Sequence, residues 1–169
     1  MFCPIRVPAC MIFTLVLLAP AAARAQGAAM PTCLTLLPPE AIVKTLGETY
    51  RDMGSEVGRS GASDCEWAVR LGTPGFKTLA VSFFDAVALK ASPGYASADE
   101  YFESVVSSVE SRAPSKREVL PGVGLKAAFV ATPPQMLVAV QRKDGVARLV
   151  GINLTKAQMV ALARAIGAP

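Results

Sequence analysis

The chain has 169 residues, 52% of them hydrophobic and only 18% charged, a balance that excludes intrinsic disorder along its whole length. Its formal net charge is +4, and it contains no histidine, which removes Ser-His-Asp and Cys-His catalysis, histidine zinc sites and histidine pH switches together. One domain is the expectation at this length.

Residues 1–25 read as a secretory signal peptide. Arg6 supplies the positive start, Met11 to Ala22 the apolar stretch, and Ala23-Arg24-Ala25 the small-x-small cleavage pattern, so that Gln26 becomes the new N-terminus. The apolar stretch is shorter than the roughly 20 residues that span a bilayer, and Pro20 interrupts it, which argues against a retained anchor. Cys10 precedes the apolar stretch and Cys33 lies too far beyond it for lipid attachment. Cleavage removes Arg6 and Arg24 and no acid, so the net charge falls from +4 to +2 and nucleic-acid binding loses its compositional support. It also removes Cys3 and Cys10. Cys33 and Cys65 then remain as an even pair in an oxidising compartment, the setting for one disulfide.

Residues 26–32 are expected to form a flexible lead to a single domain at 33–169. The first helix runs from Pro39 to Leu46, with Ile42, Val43 and Leu46 on one face and Gly47 as its stop. Residues 47–63, rich in glycine, serine and charge, read as a long surface loop. Cys65, Trp67, Val69 and Leu71 alternate with Glu66, Ala68 and Arg70 as a half-buried strand does. Gly72-Thr73-Pro74-Gly75 turns the chain into a second strand, Phe76 to Asp85, with Leu79, Val81 and Phe83 on one side. After a loop at 91–96, Ser97-x-x-Glu100 opens a helix whose Phe102, Val105, Val106 and Val109 form one stripe. A polar loop, Ser111 to Glu118, and the turn Pro121-Gly122-Val123-Gly124 lead to strands at about 125–131, 135–142 and 146–152. Asp144-Gly145 marks the last hairpin. Thr155-x-x-Gln158 opens the final helix, with Met159, Leu162 and Ile166 as its stripe. The order predicts an α+β fold: a two-layer sandwich, about five mostly antiparallel strands with three helices on one face. A core of this size is sufficient without a cofactor, and none is expected.

Few residues offer chemistry. Trp67 shares a strand face with Cys65, and packing over the disulfide is favoured over a ligand platform. Asp99, Glu100 and Glu103 cluster at a helix start, where capping and dipole electrostatics account for them better than a calcium site or an acid–base pair. Pro121-Gly122-Val123-Gly124 lacks the Lys-Ser/Thr ending of a phosphate loop and leads into a strand, so it reads as a turn. Gly58-Arg59-Ser60-Gly61 is not a nucleophile elbow, and Asn153-Leu154-Thr155 reads as a helix start before a glycosylation sequon. No catalytic, cofactor or metal residue is therefore assigned. Arg112, Lys116 and Arg117 in one loop and Arg142, Lys143 and Arg148 around one hairpin would form a basic interaction patch if they converge, with Arg117 and Arg142 expected to carry capture of a partner.

The layout resembles small exported bacterial domains of unknown function, some familiar from actinobacterial lipoproteins. The resembling residues are Cys33 before the first helix, Leu46-Gly47 at its end, Cys65-Glu66-Trp67, and Pro121-Gly122-Val123-Gly124 with Ala127. The resemblance implies an α+β fold with a disulfide and no activity, and the lipid-attachment cysteine is missing here. The expected function is a non-enzymatic binding module, exported to the periplasm or secreted, without a stable transmembrane anchor. Its partner would be an envelope protein or anionic envelope component and not nucleic acid. The alternatives are a carboxylate-dependent envelope hydrolase or a purely structural factor.

Overall fold

The computed structural model describes residues 31–57, 62–70, 72–91, 94–114 and 116–168. The signal peptide expected at 1–25, the expected lead at 26–30, Gly58-Arg59-Ser60-Gly61, Leu71 and Pro93 lie outside the described residues.

Seven strands form one sheet: β1 (Arg51–Val57), β2 (Ala62–Val69), β3 (Lys77–Asp85), β4 (Glu118–Val119), β5 (Lys126–Thr132), β6 (Gln135–Gln141) and β7 (Gly145–Ile152). Their spatial order is β1-β2-β3-β7-β6-β5-β4, and every pairing is antiparallel. Two meanders therefore meet at the β3–β7 seam, where Val81 stands opposite Leu149 and Phe83 opposite Ala147. The described helices are α1 (Cys33–Leu36), α2 (Pro39–Leu46), α3 (Ala86–Ala91), α4 (Ala98–Glu110) and α5 (Lys156–Gly167).

The expected helices on a single face are corrected: both faces of the sheet carry helices. Alternation along the central strands explains this. In β6, Val138 and Val140 face one cluster with Ile42, Met159, Leu162 and Ile166 of α2 and α5. Leu137 and Ala139 face a second cluster with Tyr101, Phe102 and Val106 of α4. Strands apolar on both faces need cover on both, and an amphipathic helix supplies each cover. The α4 layer lies over β5, β6 and β7. Beyond it, Asp64 and Glu66 of β2 stand exposed on the same face.

The loop expected at 47–63 is also corrected, because it contains β1 and the start of β2. Residues 51–56 are exposed, so this edge strand carries no apolar alternation and is held by pairing with β2 alone. Its Gly54 and Asp52 bracket a shift in register. Three further elements escape the sequence reading by their brevity. The lead ends in α1, whose N-cap Thr32 closes a capping box with Thr35. Asp85 accepts from the amides of Val87 and Ala88 and so starts α3. Strand β4 has two residues.

The well-signalled elements stand where expected. Thr155 and Gln158 close a capping box on α5, and Gly47 ends α2 at φ 73°. Ser97 caps α4 by accepting from the Glu100 amide, while the Glu100 carboxylate accepts from the Ala96 amide one residue outside the expected box. Gly145 opens β7 where a Cβ would lie 2.1 Å from the Phe84 carbonyl oxygen, a close approach that excludes any other residue. Among the described residues no helix is long and apolar enough to cross a membrane.

Candidate functional site

Cys33 and Cys65 form a disulfide with Cα atoms 5.9 Å apart, joining α1 to β2. The Cys33 amide also donates to Ser63 Oγ at 3.0 Å, the neighbouring inward position on the same strand. Trp67, on the same face, is 1% exposed and belongs to the core beneath α1, α2 and α5, so it offers no platform to a ligand. Among the described residues its indole nitrogen has no hydrogen-bond partner, and neither has the buried Tyr50 hydroxyl, whose pKa burial pushes up to about 12.

The acidic start of α4 is neutralised by two cations from other elements. Lys126 of β5 contacts Glu103 and, at 3.1 Å, Asp99, and its ammonium lies 4.9 Å from the centre of the Phe102 ring. Arg117 binds Glu103 at 2.5 Å and Glu110 at 2.8 Å, and its remaining amino group donates to Ser107. These hydrogen bonds stabilise the carboxylate form. Glu103 is held below its usual pKa by Lys126 first and Arg117 second, and Glu110 by the Arg117 amide and guanidinium. Among the described residues no group of three or more acidic, cysteine or histidine side chains is placed to hold a metal ion.

The six basic residues expected in one patch do not converge. Arg117 is consumed by the α4 carboxylates. Arg142 is consumed by Asp144 at 2.8 Å and by the Ile166 carbonyl of α5, which draws it to the α5 side of the sheet. Arg142 and Lys143 border a cleft of about 590 Å³ with Gly124, Leu125 and Gly167. Lys116 borders another at the end of α4 with Glu110 and Pro114. An expected loss of capture on replacing Arg117 and Arg142 is therefore withdrawn, because ion pairs already spend both charges.

Arg112 and Arg148 do meet. They line one groove of about 300 Å³ with Val109 of α4, Thr132 at the end of β5, Pro134 of the β5–β6 turn, and Gln135 and Leu137 of β6. Arg148 sits in mid-strand between Val146 and Val150, on the α4 side of the sheet. Its cross-strand neighbours are Ser82 and Ala139, two small residues that leave room for a long side chain to lie against the sheet. It is part-buried, and its Nε is buried without a hydrogen-bond partner among the described residues. Arg112 Nε donates to the Ser108 carbonyl at 3.1 Å, fixing this side chain beside the last turn of α4. Neither arginine forms an ion pair among the described residues, whereas Arg117, Lys126, Arg142 and Lys156 all do. The sequence reading grouped Arg148 with Arg142 by proximity along the hairpin. The better signal was its place as a lone charge in Val146-Ala147-Arg148-Leu149-Val150. Thr132 and Gln135 went unnoticed, since turn residues carry no functional mark.

The paired carboxylates fix the pH response of the fold. Glu48 (through Lys77), Glu103, Glu110 and Asp144 all have pKa values lowered by their hydrogen bonds to cations. A carboxylate whose pKa is depressed on folding stabilises the fold above its unfolded value and loses that contribution as pH falls through the folded value. Thermal unfolding should therefore occur at falling temperature from about pH 5 to about pH 3. An unchanged melting temperature across that interval would show that these pairs do not stabilise the fold.

Comparison with family models, with curated proteins and with solved structures finds no match to this chain.

Proposed function

We propose that the protein is an exported, non-enzymatic binding module of the cell envelope, and that the groove bordered by Arg112 and Arg148 is its binding surface. The observation that carries this reading is Arg148. A guanidinium packed between Val146 and Val150, on a face it shares with Ser82 and the exposed Asp64, has its Nε buried and unpartnered among the described residues and so forfeits hydrogen bonds to water. Such a group is accounted for by a partner that brings an oxyanion to it. Export is read from the N-terminal pattern of Arg6, the apolar stretch and Ala23-Arg24-Ala25, and the Cys33–Cys65 disulfide supports an oxidising destination. The acidic cluster on α4 does not favour hydrolysis, because Lys126 and Arg117 occupy Asp99 and Glu103.

The test is capture from an envelope extract by the immobilised mature protein at low and high salt. Capture should weaken as salt rises, because exposed charges are screened over about 8 Å at physiological ionic strength. Salt-insensitive capture would remove the arginine groove from the account. Turnover of an envelope substrate, abolished by replacing one carboxylate, would overturn the non-enzymatic reading.

A further inference from the structure

We infer that the groove takes a small organic monocarboxylate with a short apolar body. The inference rests on the binding reading above and names the ligand class. Three features of the groove converge on it.

The first is the shape of its cations. Arg112 and Arg148 both present planar guanidinium groups, which match an oxyanion through two parallel hydrogen bonds. Among the described lining residues there is no lysine and no acid to compete for or cancel that charge.

The second is the sign of the nearest helix end. The groove lies at the C-terminal end of α4: Val109 belongs to the last turn, and Arg112 follows two residues after Glu110. A helix C-terminus carries a partial negative charge, roughly half an elementary charge. Two guanidinium groups outweigh it for a monoanion. Among its described lining residues the groove has no amide-lined helix start of the kind that usually holds phosphate, so the two guanidinium groups are what it offers an anion.

The third is the apolar remainder. Val109, Pro134 and Leu137 supply hydrocarbon beside the arginines, and Thr132 and Gln135 supply polar groups. The Thr132 hydroxyl donates to the Gln135 carbonyl, which closes the turn at that wall. A volume of about 300 Å³ is at the small end of ligand sites, suited to one ring or a short alkyl chain.

The experiment titrates the mature wild-type protein with benzoate, hexanoate, acetate and inorganic phosphate by calorimetry, at low and high salt. Benzoate or hexanoate should bind at least about tenfold more tightly than acetate or phosphate, and more weakly at high salt. Arg148→Gln should weaken that binding by about tenfold or more, and Arg148→Lys should not restore it, because an ammonium lacks the fork. Should Arg148→Gln fail to fold, the exposed Arg112→Gln supplies the same comparison. Phosphate binding as tight as benzoate, no carboxylate binding, or binding unchanged in the arginine variants would each overturn the inference. Loss of the carboxylate response alongside retained, salt-sensitive capture from extract would sink the ligand class alone. Salt-insensitive capture would sink the binding reading itself.

Discussion

Trp67→Ala is expected to destabilise the fold by about 3–5 kcal/mol, the usual cost of emptying a fully buried large aromatic site. Trp67 is the largest of the fully buried side chains, and it shares its core with Cys33, Leu37, Ile42 and Leu79. The layer above it cannot easily collapse into the space. Helix α1 is four residues long and anchored by the disulfide, and α2 is held at Gly47 by its C-terminal turn. A loss of this size should lower the melting temperature by on the order of 10 °C. Trp67→Phe separates packing from polarity. The indole nitrogen has no partner among the described residues to lose, so phenylalanine should cost clearly less than alanine. Melting of Trp67→Ala within about 1 kcal/mol of wild type would show that the site is not packed as described.

Cys65→Ser should cost about 2–5 kcal/mol, the range for loss of a native disulfide in a small domain. The bridge joins residues 32 apart in sequence, a loop worth about 3.7 kcal/mol in the chain-entropy account. It also fastens α1 to β2, where the Cys33 amide and Ser63 Oγ make the companion hydrogen bond. Reductant should lower the melting temperature of wild type to that of the variant and leave the variant unchanged. Peptide mapping without reductant should find the Cys33 and Cys65 peptides linked. Free alkylation of both thiols in the native protein would contradict the bridge.

Legibility in the sequence followed how far each element obeys a local rule. The α4 and α5 helices carry capping residues and an apolar stripe, and both lie where those signals put them. The Asp144-Gly145 hairpin and the disulfide were equally local in their logic. Strand β1 was hidden because an edge strand exposed on both faces has no apolar alternation to read. The assignment of α4 to the opposite face was hidden because Ala80, Phe84, Leu137, Ala139 and Val150 are apolar on the face opposite Leu79, Val81 and Phe83, and such strands read alike whichever helix covers them. The basic residues were visible by type, but their fates depended on partners distant in sequence. Arg117 meets Glu103 and Arg142 meets Ile166, while Arg112 and Arg148 border one groove on the α4 side of the sheet.

That last distinction sets the most direct test of the account. Two double variants, Arg112→Gln/Arg148→Gln and Arg117→Gln/Arg142→Gln, remove the same charge from different places. Capture from envelope extract by each is measured against wild type at one low ionic strength. The account predicts that capture collapses in the first variant and persists in the second, whose arginines are already spent on Glu103, Glu110 and Asp144. Equal loss in both would reduce the effect to net charge. Loss confined to the second would place the binding surface away from the groove and contradict the account.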